Sequence, residues 1–160
     1  MDIDLVVRQM TENDAGEIKQ VINVSFPKFY RFFARHSLYE EGPVLVAETE
    51  GSVVGFAKLI DFYIGGKKYS CILWIAIHPS FRRKHIAATL TSSATKTLKQ
   101  DGAEAIFAST QRRNVGALSV LGLQGFSKVG FLGLRRLFGW RVFEFYRDIW
   151  FAPGEIVLMA

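Results

Sequence analysis

The sequence predicts an α/β fold, a mixed and mostly antiparallel sheet with flanking helices, and three observations carry that prediction. The stretch PVLVAETEGSVVGFAKLIDFYIGGKKYSCILWIAIHP, from Pro43, reads as three successive strands turning at Glu50-Gly51 and at Gly65-Gly66, an antiparallel meander. Residues 83 to about 100 then follow helical spacing. The strand-like AEAIFAST after them implies a right-handed crossover and one parallel strand pair. Finally, 49% of the 160 residues are hydrophobic and 14% aromatic, enough for a core that needs no disulfides or metals.

Each element has its own justification. LVVRQM is a first strand, and Thr11 caps a helix over TENDAGEIKQVI. Asn13, Asp14 and Glu17 suit that helix's electropositive start, and Ile18, Val21 and Ile22 give it an apolar stripe. FPKFYRFFARHSLY sets Phe26, Phe29, Tyr30, Phe32 and Phe33 on a short helix with Arg31 and Arg35 between them; most of these rings are expected in the core. After the meander, Ile86, Leu90, Ala94 and Leu98 share one helical face, and Asp101-Gly102 ends that helix. A short helix over about Val115 to Leu123, a strand in GFSKVGFLGL and a last strand in EIVLMA follow. RRLFGWRVFEFYRDIWFAPG matches neither period cleanly; its rings, residues 135–153, suit an acceptor pocket, a homodimer interface or plain core. With no repeat, low-complexity tract or linker, residues 1–160 are expected to form a single domain.

Composition also narrows the function. The longest apolar run, Cys71 to Ile77, falls far short of the roughly 20 residues that span a bilayer, so no membrane partner is expected. MDIDLVVRQM lacks the basic-then-apolar order of a secretory signal, and a cytoplasmic location follows as the expectation. The one cysteine, Cys71, reads as a buried strand residue. No metal is expected. A formal charge of +5 and a pI near 9.5 favour anionic partners.

The cations concentrate usefully in IHPSFRRKHIAATL, residues 77–90. A helix that follows a strand directly leaves its first N–H groups open to an anion, and Arg82, Arg83 and Lys84 add charge at the end where a helix alone disfavours it. The small side chains of Ala87 and Ala88 let a bulky diphosphate reach the backbone. The same triplet could simply solvate a helix start. Nucleic acid is not expected, because the rings follow buried periodicities and do not interleave with Lys and Arg on a displayed strand.

This segment resembles the signature of the Gcn5-related N-acetyltransferases (GNAT), [QR]-x-x-G-x-[GA] after a strand, read here as Arg82-Arg83-Lys84-His85-Ile86-Ala87. Downstream, Asn114, Ala117, Gly125 and Phe126 match that family's N-x-x-A-x(7)-G-F spacing. The resemblance implies a sheet whose central parallel pair splays, with acetyl-CoA as cosubstrate. The diphosphate would lie on amides 83–88, from Arg83 through His85 and Ile86 to Ala88, and the pantetheine arm would run along Ile75, Ala76 and Ile77. The Ile77 N–H would then stabilise the oxyanion, and Asn114 would contact the cofactor or cap the helix beginning at Val115.

Three departures bear on mechanism. His85 replaces the first motif glycine, which a right-handed backbone or a tolerated left-handed one allows. Leu121 stands where many relatives carry the tyrosine that protonates the leaving thiolate. Leu73 or Trp74, and Ser109, occupy positions where some relatives carry a base. The remaining catalytic candidates are Asp61, opposite Ser70 if Gly65-Gly66 is a two-residue turn, and its neighbour Tyr69; His78 is set aside. The expected activity is acetyl transfer to a primary amine of a small molecule or polypeptide by direct attack, and the alternative is a CoA-binding regulatory module.

Overall fold

The computed structural model describes residues 3–160; residues 1 and 2 of the expected domain lie outside the described residues. Its strands are β1 (Leu5–Gln9), β2 (Val44–Thr49), β3 (Ser52–Ile64), β4 (Lys67–Ile77), β5 (Ile106–Gln111), β6 (Ser127–Val129) and β7 (Glu155–Met159). They form one seven-stranded sheet in the order β1-β2-β3-β4-β5-β7-β6. β4 and β5 run parallel, while β1–β2, β2–β3, β5–β7 and β6–β7 are antiparallel, so the expected mixed sheet is present. The helices are α1 (Ala15–Ser25), α2 (Lys28–Ser37), α3 (Ile86–Gln100), α4 (Val115–Leu123), α5 (Phe131–Phe138) and α6 (Val142–Asp148).

The described residues cluster into two compact units, residues 3–59 with Trp74–Ala94, and Ile60–Leu73 with Thr95–Ala160. In the first, Ile18, Val21 and Ile22 of α1 and Ala34 of α2 pack on Val44, Val46, Val53, Phe56 and Ala76. Polar clamps reinforce it. Asp14 accepts two hydrogen bonds from the Arg8 guanidinium, at 2.8 and 2.9 Å, and one from the Thr11 N–H at 2.7 Å. These bonds, the Arg8 ones foremost, hold its carboxyl well below the usual carboxylate range. Lys58 is wholly buried, yet its ammonium donates to the Glu40 and Gly42 carbonyls at 2.8 Å each, and burial lowers its pKa.

The second unit is built on rings. Phe62, Tyr69, Phe107, Phe138 and Phe145 share a core with Cys71, Leu134, Val142 and Ile149; Phe107 and Phe145 are 4.7 Å apart, edge to face. Cys71 is buried as expected, and burial pushes its thiol pKa up.

Three expectations need correction. Most rings of α2 were expected in the core, yet Phe29, Phe32 and Phe33 are exposed, because the buried face of this helix carries Ala34 and Ser37. The strand in GFSKVGFLGL shrinks to Ser127–Val129, since from Phe131 the chain winds into α5, where Leu134 and Phe138 share a buried face. Finally, α3 begins at Ile86 and residues 83–85 form the loop before it, because Arg83 (φ 62°) and His85 (φ 59°) are left-handed.

Candidate active site

The strand-to-helix junction after β4 is held at its first residue. The Ile77 carbonyl accepts from Ser25 Oγ at 3.3 Å and from Arg82 Nε at 3.2 Å, while the His78 N–H donates to Val54 on β3 at 2.8 Å. Strand alternation therefore turns the backbone groups of Ile75 and Ile77 away from β3. The recorded register of β4 with β5 covers only Ser70 to Ile72, so Ile75, Ala76 and Ile77 lie beyond it. Gly55 on β3, which the sequence reading did not single out, lets β4 lie this close: a Cβ there would stand 2.5 Å from Ile77 Cδ1 and 3.0 Å from the Ala76 carbonyl.

Beyond the junction, Pro79–Phe81 make one 3-10 turn capped by His78, whose Nδ1 accepts from the Ser80 N–H at 3.2 Å. Lys84 rests its ammonium over the Phe81 ring, 5.1 Å from its centre. Among the described residues, the N–H groups from Arg83 to Ala88 have no hydrogen-bond acceptor. Alternating left-handed residues ahead of a helix start produce this arrangement, a row of amides open to an anion. The side chains of Arg83, Lys84 and His85 are exposed, and those of Ala87 and Ala88 are half-buried.

In the second unit, Asn114 caps α4, its Oδ1 accepting from the Ala117 N–H at 3.1 Å. The Gly125-Phe126 pair closes the same helix: the Gly125 N–H bonds Gly122 and the Phe126 N–H bonds Leu121, with Gly125 left-handed at φ 86°. Asp61 does face Ser70, accepting from its hydroxyl at 2.5 Å, and ion-pairs with Lys68 at 3.3 Å. Tyr69 is 5% exposed and stacked among Phe62, Phe107 and Phe138, a core position. Leu121 is buried. Trp74 is half-buried in the first unit, edge-on to Phe26 and Tyr30 at 5.4 and 5.8 Å, and its indole N–H has no partner among the described residues.

The seven-stranded mixed sheet thus carries, at a strand-to-helix junction, a row of amides suited to an anionic ligand. The sequence pattern of the Acetyltransferase (GNAT) family matches residues 11–126, and the chain belongs to that family. No curated protein matches the sequence. Among solved structures it is similar to the ribosomal-protein-S18-alanine N-acetyltransferase from Escherichia coli, at 14% identity and a TM-score of 0.68, covering 97% of this chain and 92% of that one. It is also similar to a GNAT-family protein from Desulfovibrio desulfuricans, at 15% identity, TM-score 0.74 and 98% coverage of both chains. A Brucella melitensis GNAT acetyltransferase solved with acetyl-CoA matches at 20% identity and TM-score 0.64, covering 79% of this chain and 84% of that one. At these identities the structural likeness speaks for the fold.

Proposed function

We propose that the protein is an acetyl-CoA-dependent N-acetyltransferase that moves an acetyl group to a primary amine of a polypeptide or small molecule. The observation that carries this reading is the row of amides from Arg83 to Ala88 without acceptors. A diphosphate fits such a row because it accepts several N–H bonds at once, and Ala87 and Ala88 leave its approach clear. Arg83 and Lys84 supply charge beside it, His85 and Ile86 contribute backbone, and Arg82 braces the end of β4. The pantetheine arm runs along Ile75, Ala76 and Ile77. Asn114 of the second unit is proposed to bind cofactor through its amide NH2 or to act only as the cap of α4, where its Oδ1 accepts the Ala117 N–H. The family match draws on both compact units, which supports one acetyltransferase domain.

The chemistry is direct acyl transfer. The amine lone pair forms a C–N bond at the thioester carbonyl carbon while the Ile77 N–H takes the developing negative charge on oxygen. The C–S bond then breaks with its electron pair on sulfur, and the proton lost by nitrogen balances the one the thiolate takes up. With an unperturbed thiol pKa of about 8.5, departure needs no dedicated acid.

The test is calorimetric titration with acetyl-CoA, beside thioester consumption on a panel of amines. Arg83→Ala combined with Lys84→Ala should weaken binding by about tenfold or more, and more at low salt. Unchanged affinity would remove the phosphate role. The regulatory-module reading keeps a specific observation in its favour: Tyr69 and Leu121 are buried, and Asp61 is engaged by Ser70 and Lys68. Tight acetyl-CoA binding without turnover on any acceptor would select it.

A further inference from the structure

Helices α1 and α2 border an open groove of about 580 Å³ whose charge pattern the acetyl-donor site does not use. Lys19, Lys28, Arg31 and Arg35 line it together with His36. Among the described residues, no carboxylate lies within ion-pair distance of these lysines and arginines. His36 alone has one, Glu40, at 3.2 Å. The arginines are instead oriented by neutral acceptors: Arg31 Nε donates to the Phe26 carbonyl at 2.6 Å, and Arg35 donates to Asn23 Oδ1. Lys19 lies 5.5 Å over the Tyr39 ring. Fixed cations with neutral partners keep their charge available to a ligand, which distinguishes them from a salt-bridged surface.

The groove also has an exposed apolar part. Phe32 is 68% exposed and Tyr39 72%, with Phe29 and Phe33 continuing the ring surface in edge-to-face contacts at 5.1 to 5.5 Å. The same helices reach the end of β4, through Ser25 Oγ on the Ile77 carbonyl and through Phe26 and Tyr30 against Trp74. The α1–α2 pair that carries the groove is thus anchored on the strand that ends at Ile77.

We infer that this groove receives an acidic segment of a polypeptide acceptor, its carboxylates on Lys28, Arg31 and Arg35 and an apolar side chain on Phe32. The inference rests on the acetyltransferase reading and names its substrate class. Cations interleaved with the Phe32 and Tyr39 rings favour a polypeptide, which offers carboxylates and apolar side chains together, over an anionic membrane surface.

The experiment compares fluorescein-labelled peptides that share a free amino-terminal residue and continue with either Asp and Glu or Ser and Gln. Binding is followed by anisotropy at about 50 and 300 mM salt, beside acetyl transfer to the same peptides. The acidic peptide should bind roughly tenfold more tightly at low salt and be the better acceptor. Lys28→Ala with Arg35→Ala should remove most of that preference, and Arg35→Glu, a surface change that spares the fold, should weaken it to a similar degree. Equal binding of the two peptides overturns the inference, as does sedimentation with phosphatidylserine vesicles in the absence of peptide binding. Calorimetry with acetyl-CoA on the same preparations separates the two readings: indifference to peptide charge with intact acetyl-CoA binding sinks the groove alone, and lost acetyl-CoA binding sinks the acetyltransferase.

Discussion

Two stretches of similar aromatic content pack differently in this molecule. Residues 26–39 hold six rings and bury none of them fully, whereas residues 131–151, which expose Phe131, Trp140 and Phe143, bury Phe138 and Phe145 in the middle of a core. The difference lies in spacing. Leu134, Phe138, Val142, Phe145 and Ile149 recur at helical intervals through α5 and α6, so a single buried stripe collects the large side chains. In α2 the ring positions 29, 32 and 33 fall on one side, and the positions that face the protein are Tyr30, Ala34 and Ser37, whose hydroxyl bonds the Ala34 carbonyl at 2.7 Å. Aromatic content thus marks a core only where its period agrees with the buried face. The first unit accordingly relies on aliphatic packing and polar clamps, and the second on stacked rings.

Substitutions can break this contrast. The largest effect is expected for Phe145→Ala, which removes a fully buried ring touching Phe62, Phe107 and Phe138 and should destabilise the fold by about 3–5 kcal/mol in denaturant titration. A loss below about 1 kcal/mol would mean the ring core is not what supports the second unit. Asp14→Asn tests the clamps of the first unit and should cost about 1–3 kcal/mol near neutral pH. Because the native Asp14 pKa is depressed, its contribution is complete above the unfolded value of about 3.9 and is lost as pH falls toward the native one. The gap between wild type and variant should therefore close on acidification, and a gap independent of pH would remove the clamp.

His85→Gly probes the amide row, where the left-handed backbone at φ 59° is costly for histidine. It should raise stability by up to about 1 kcal/mol, with acetyl-CoA affinity in calorimetry unchanged if only the backbone of residue 85 binds. Weaker binding would instead give the imidazole a role. The smallest effect is expected for Phe32→Ser, within about 0.5 kcal/mol of wild type by thermal melting, since this ring holds nothing inside the fold.

Most of the fold was legible because it is written in local chemistry. The meander follows from alternating apolar residues and from turns at Glu50-Gly51 and Gly65-Gly66, whose central residues are all left-handed. The α4 helix was legible to its ends because Asn114 caps it and Gly125-Phe126 closes it. The amide row was legible through its motif. Its conformation was not, since a helix start at residue 83 and a left-handed loop to residue 85 fit the same apolar spacing.

The sequence by itself determined the family and the order of elements up to about residue 129, because turn chemistry, hydrophobic period and a contiguous motif act over a few neighbouring positions. Only the tertiary structure decided which rings of α2 meet solvent, that Tyr69 packs in a core while Asp61 holds Ser70, and that Gly55 must lack a side chain beneath Ile77. Each of these depends on what a distant segment places against a residue, and the one-dimensional pattern does not contain that information.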